Sequence, residues 1–184
     1  MYWTLIHNPI IHKNLKILIT GIAGFAGNSI AKTLLHHHSN LQIIGVDNFS
    51  RKGSELNISD LTRLEIDLIR GDIRYQSDID CLPKVDWVID CAANPSVLAG
   101  IDGKSSSRQL LEHNLIGTIN LLEYCKNHKA GLILLSTSRV YSASELAALP
   151  VKSSEDRFEL KDCDVSGASI LGISEDFPTT APLS

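Results

Sequence analysis

At 184 residues, with 43% hydrophobic side chains and a formal charge of −4, the chain has the size and composition of one globular domain around a single core. That charge gives no general attraction for nucleic acid or anionic membrane surfaces, and no apolar run reaches the length of a membrane span. The four cysteines, Cys81, Cys91, Cys125 and Cys163, stand apart with no CxxC pair, which argues against zinc and for reduced thiols in a cytoplasmic setting.

Residues 1–14 carry Trp3, Leu5, Ile6, Ile10 and Ile11 but lack the basic start and small-residue cleavage site of a secretory signal; they read as a leader of uncertain structure. From Lys16 an apolar, β-prone run ends at Gly21, and glycine recurs at Gly24 and Gly27. A helix-compatible segment follows from Asn28 to His38. A strand, a glycine turn and a helix N-terminus in that order form a phosphate-binding unit. Gly21 allows the sharp turn, Gly24 leaves room for a pyrophosphate, and Gly27 lets the helix approach the sheet. His36, His37 and His38 point to different sides of a helix, so they do not converge on a metal ion.

Leu41 to Asp47 predicts a second buried strand ending in an acid, about 20 residues beyond the glycines, where a dinucleotide site places a carboxylate for the ribose hydroxyl. Asp47 favours NAD over NADP because it would repel a 2′-phosphate, although Arg51 and Lys52 offer charges that suit one. Asn48 to Asn57 reads as a polar loop, Leu64 to Arg70 as a third strand, Ser77 to Leu82 as a short helix and Asp86 to Ala93 as the fourth strand with its exit. Ser105 to His128 has the apolar spacing of a helix packed on a sheet, and Gly131 to Ser136 reads as a fifth strand. This alternation predicts an α/β fold with a doubly wound parallel sheet, a Rossmann-type domain over residues 15–141. Residues 142–184, rich in Ser, Ala and acids, read as an irregular segment. Ser136 to Tyr141 follows the fifth strand directly, where hydroxyls either serve a substrate alcohol or satisfy their own turn.

With these segments in order, the chain resembles the extended short-chain dehydrogenases/reductases, the class of NAD-dependent nucleotide-sugar epimerases and dehydratases. Thr20 to Gly27 is similar to the family's TGxxGFxG turn, Gly71-Asp72-Ile73-Arg74 to its GDIR, and Cys91-Ala92-Ala93 to its small-residue strand exit. Asn114 to Glu123 resembles NxxGTxNLLE, and Ser136 to Tyr141 resembles the segment carrying the catalytic Ser/Thr. The resemblance implies cofactor contacts at Gly21, Ala23, Gly24, Phe25, Ala26, Gly27, Asp47, Asn48, Asp72, Ile73, Ala92, Ala93 and Asn114, with Asp72 and Ile73 at the adenine. It implies a catalytic role for Thr137, NAD as cofactor, a nucleotide-sugar substrate and self-association, while charge, hydropathy and cysteine spacing lead us to expect no metal, nucleic acid or membrane partner. A narrower resemblance, to the CDP-paratose 2-epimerases (also called CDP-tyvelose 2-epimerases), rests on Asp47 to Ser54, Ala93 to Gly100 and Leu135 to Ser142. It implies a CDP-sugar and transient oxidation at sugar C2.

One departure is severe. The family's catalytic pair is Tyr-x-x-x-Lys, and the residues four beyond Tyr2, Tyr75, Tyr124 and Tyr141 are Ile6, Ile79, His128 and Glu145. The chain is therefore expected to be inactive by itself. Two readings stay open: the N-terminal, NAD-binding part of an epimerase truncated before the catalytic helix, or a catalytically silent NAD-binding module.

Overall fold

The computed structural model describes residues 15–94, 96, 106–137 and 140–180. The leader read at 1–14, and positions 95, 97–100, 138 and 139 of the narrower resemblance, lie outside them. Two compact units are present, Met1–Leu135 and Ser136–Ser184.

The first unit is a five-stranded parallel sheet. Its strands are β1 (Leu15–Thr20), β2 (Leu41–Asp47), β3 (Asp67–Arg70), β4 (Trp87–Asp90) and β5 (Gly131–Leu134), in the spatial order β3-β2-β1-β4-β5. Helices α1 (Phe25–His37), α2 (Ile58–Arg63), α3 (Gln76–Asp80), α4 (Ser107–Leu111) and α5 (Gly117–His128) join them. The strand order reverses direction on either side of β1, which opens a crevice at the carboxyl ends of the central strands.

Side chains alternate across β1, so it supplies two cores. Ile17 and Ile19 pack with Ile22, Ala31, Ile43 and Leu61 on the face carrying α1 and α2. Leu18 packs with Ile44, Val46, Val88 and Leu121 on the face carrying α3 and α5. Leu18, Ile19, Ile22, Val88 and Leu121 are fully buried, each stabilising the fold by about 1.5–3 kcal/mol in transfer terms. A sheet covered on both faces explains why its strands read as continuous apolar runs in sequence.

Element bounds differ from the sequence reading for local reasons. α1 starts at Phe25, inside the glycine motif. Leu64 to Ile66 are not strand: their N–H groups donate to Asp60, Thr62 and Leu61 carbonyls, and Glu65 takes a left-handed φ of 54° to close α2. The polar stretch after Asp47 includes a short 3-10 turn, Ser54–Asn57, that runs into α2, a helix the sequence reading did not place. The long helix is interrupted by one wide π segment, Glu112–Ile116.

The second unit, read as irregular, holds α6 (Ala143–Ala148) and two antiparallel pairs, β6 (Val151–Ser153) with β7 (Phe158–Leu160) and β8 (Ala168–Ser169) with β9 (Gly172–Ile173). Phe177, 2% exposed, anchors it and meets Tyr141 edge-on at 5.6 Å.

Candidate functional site

The site begins where β1 runs out. Gly21 takes φ of +60°, and a Cβ there would stand 2.9 Å from the Cys91 carbonyl oxygen, so only glycine fits. Its own carbonyl accepts the Gly24 N–H at 2.9 Å, which closes the turn. Gly27 lies in the first turn of α1, where any Cβ would collide with the Gly21 carbonyl. The helix end is thereby held against the sheet. Its N-cap, Gly24, makes no side-chain cap, and no acid occupies the first turn. Unclaimed first-turn N–H groups and the positive helix end make this an anion site.

Asp47, the last residue of β2, ties that turn to its neighbour. Its Oδ2 accepts the Ala23 N–H at 2.9 Å and its Oδ1 accepts the Phe49 N–H at 2.8 Å. Each oxygen keeps a second lone pair for a ligand hydroxyl. Beyond β3, Asp72 is more heavily bonded. Asn48 Nδ2 donates to Oδ2 at 3.0 Å, Arg74 Nη2 to Oδ2 at 2.6 Å and Arg74 Nε to Oδ1 at 2.9 Å. Burial pushes the Asp72 carboxyl up, but the Arg74 fork and Asn48 outweigh it and hold the pKa at about 2.

The floor is set by a buried pair at the ends of β1 and β4. Thr20 Oγ1 donates to Asp90 Oδ1 at 2.5 Å and accepts the Cys91 and Ala92 N–H groups, both at 3.1 Å. These bonds take the chain out of the sheet after Asp90, which is why β4 is shorter than its apolar run. Burial raises the Asp90 pKa against the hydrogen bonds it accepts. Burial, with Asp90 alongside, pushes the Cys91 thiol up to about 11, so that thiol stays protonated.

These strand ends enclose a cleft of about 440 Å³. Gly21, Gly24, Phe25 and Ala26, at the glycine turn and the start of α1, form one wall. Asp47, Asn48, Ser50 and Arg51 form a second wall, Gly71, Asp72 and Ile73 a third, and Cys91, Ala92 and Ala93 the floor. Of the sequence-predicted contacts, Ala23 and Gly27 are buried behind the turn. Asn114 instead brackets the β4 exit, its Oδ1 accepting the Asn94 N–H at 2.7 Å and its Nδ2 donating to the Asn94 carbonyl at 3.2 Å. Thr137 is exposed and belongs to the second unit.

His113 also lines the cleft and was missed. It sits in the π segment, and its Nδ1 lies 2.7 Å from the Gln109 carbonyl, an acceptor only, so Nδ1 carries the proton. Apolar periodicity carries no signal for such a residue. Its only marker is its place just before the NxxGT segment.

The cleft's chemistry fits a dinucleotide. A cradle that a Cβ would fill faces a pyrophosphate-sized space, with a carboxylate beside it for ribose hydroxyls. A family model described as "NAD dependent epimerase/dehydratase family" matches residues 17–161. The chain belongs to that family. NAD is the family's cofactor.

Among the relatives of this epimerase/dehydratase chain, CDP-paratose 2-epimerase of Salmonella typhi is 31% identical over 80% of this chain and 44% of its own length. UDP-glucose 4-epimerase of Pisum sativum is 33% identical over 71% of this chain and 39% of its own. The structure of UDP-glucuronic acid 4-epimerase from Bacillus cereus, in complex with UDP-glucuronic acid and NAD, superposes with a TM-score of 0.61 at 28% identity, covering 91% of this chain and 46% of that one. The chain thus spans less than half the length of the curated relatives it matches. Among the described residues, no helix is long and apolar enough to cross a membrane.

Proposed function

We propose that this chain is the NAD-binding part of a nucleotide-sugar epimerase acting on a CDP-sugar at C2. The observation that carries the cofactor half of this reading is the convergence of the glycine turn, Asp47 and the Gly71–Ile73 segment on one cleft. The N–H groups at the start of α1 hold the pyrophosphate, and Asp47 accepts the adenosine ribose hydroxyls. Asp72 and Ile73 would hold the adenine, and Ala92 and Ala93 would line the cleft's floor against the cofactor. NAD supplies the hydride acceptor for oxidation at the sugar carbon.

The substrate half rests on likeness to CDP-paratose 2-epimerase, 31% identical over 154 residues. Thr137 takes the position of the family's catalytic hydroxyl and orients the substrate alcohol. A threonine hydroxyl is a poor base near neutral pH, and no tyrosine in the chain has a lysine four residues on. By itself the chain therefore binds cofactor without turning over sugar.

Titration calorimetry of the chain with NAD and NADP tests the cofactor half. The expected result is saturable NAD binding and weaker NADP binding; no NAD binding overturns it. For the substrate half, appending a segment that carries Tyr-x-x-x-Lys and a substrate domain from CDP-paratose 2-epimerase should yield epimerisation of a CDP-sugar. A soluble, NAD-binding chimera that stays inert favours a catalytically silent module.

A further inference from the structure

The Asn114–Glu123 segment was read from sequence as one block, but its residues point to separate tasks. Asn120 lies near the start of α5, on the face turned to the Ile73–Arg74 loop. Its Nδ2 donates to two backbone carbonyls, Ile73 at 2.8 Å and Arg74 at 3.0 Å. Both N–H bonds of the amide are thus spent on consecutive peptide groups of one loop. One turn earlier on the same helix, Gly117 leaves the space that Ile73 fills; a Cβ there would lie 2.7 Å from Ile73 Cδ1. Arg74, whose carbonyl Asn120 holds, is in turn the residue whose guanidinium grips Asp72.

We propose that Asn120 is a positioning residue for the adenosine end of the cleft, acting through the Asp72–Arg74 loop. This rests on the dinucleotide reading given above. The β3 strand is only four residues long and ends at Arg70, so sheet pairing does not extend to this loop. Within the loop the bonds are local, Arg74 and Tyr75 N–H groups returning to Asp72 and the Asp72 N–H going to Asp78, while Asn48 Nδ2 ties the Asp72 side chain, and the Gly71 N–H the base of the loop, to the end of β2. Asn120 supplies the hydrogen bonds, 46 and 47 residues away in sequence, that fix the Ile73 and Arg74 backbone to the helical layer, where the Arg74 guanidinium also stands 4.0 Å from the Glu112 carboxylate. Without those donors the two carbonyls turn toward water, and the Ile73–Arg74 part of the wall loses its hold on α5, although Asn48 still holds the Asp72 side chain. The phosphate turn and the β4 exit are held by other residues, Gly21 and Thr20, and keep their places.

The test separates the two ends of the ligand. The purified chain and its Asn120→Ala, Asn120→Asp and Asn120→Gln variants are titrated with NAD, with AMP and with nicotinamide mononucleotide, alongside thermal melts. The expected result is a loss of about tenfold in NAD and AMP affinity for the Ala and Asp variants, the factor for leaving one hydrogen-bonded group unmet. Nicotinamide mononucleotide affinity stays unchanged, and Gln, which keeps both donors, recovers most of the loss. Equal losses for both mononucleotides mark a merely structural residue and overturn the proposal, as does an Asn120→Asp variant that binds AMP normally. A parent chain that binds no NAD overturns the dinucleotide reading itself, and this inference falls with it; NAD binding by the parent with an indifferent Asn120→Ala overturns this inference alone.

Discussion

At the scale of single residues, the carboxylates divide by environment. Asp47 bridges Ala23 and Phe49 and still has lone pairs for a ribose, so Asp47→Ala removes both a ligand acceptor and a turn clamp. NAD binding is expected to weaken by about 1–3 kcal/mol, the cost of an unmet buried polar partner. Unchanged affinity by calorimetry would remove Asp47 from the site. Asp90 poses the opposite problem. Its pKa is raised by burial, so its neutral form favours the fold. That contribution is complete below the unfolded value of 3.8 and is lost as pH rises through the folded value. Asp90→Asn keeps the size and the acceptor for Thr20 but has nothing to ionise. Its melting temperature is expected to exceed the parent's near pH 7, the gap narrowing as pH falls toward 3.8; a gap independent of pH would contradict the assignment. Asp72 moves the other way, since its pKa is held at about 2, and its contribution is lost only as pH falls from 3.8 toward that value. Gly21 and Asp47 were legible in sequence because their roles follow from backbone chemistry at fixed spacing. The Thr20–Asp90 pair and His113 were not, because they depend on β1, β4 and the π segment meeting in space.

At the scale of elements, the sequence reading placed the five strands of the parallel sheet, because a sheet buried on both faces demands apolar runs, and missed β6 to β9. It overran the ends of β3 and β4 where other hydrogen bonds take over from the sheet. β4 stops at Asp90 because Thr20 captures the next two N–H groups, and Leu64 to Ile66 serve the end of α2 although their polarity alternates as a strand's would. The α4-to-α5 stretch was read as one amphipathic helix, yet Leu111, Leu115, Ile119 and Leu122 remain 44–57% exposed along it. β5, at one end of the sheet, leaves Ile133 at 47% and Leu134 at 55% exposure. Apolar surface of that extent is expected to make the chain self-associate or aggregate. Analytical ultracentrifugation should show species larger than a monomer, reduced in a Leu115→Glu, Leu122→Glu double variant; a monodisperse monomer with a cooperative melt would contradict this.

At the scale of the whole molecule, the proposed cofactor cleft stands in a sequence in which no tyrosine is followed by a lysine four residues on. A missing general base alone lowers rate by about 10² to 10⁴. The purified chain with NAD is expected to leave a CDP-sugar unepimerised when the sugar is examined by chromatography, and turnover at an enzyme's ordinary rate would contradict that. The cofactor claim underlies every other, and backbone amide resonances followed during NAD titration of the ¹⁵N-labelled chain test it most directly. The account predicts saturable shifts concentrated at Gly21–Gly27, Asp47–Arg51, Gly71–Ile73 and Cys91–Ala93. No saturable shift, or shifts that bypass those four segments, would contradict it.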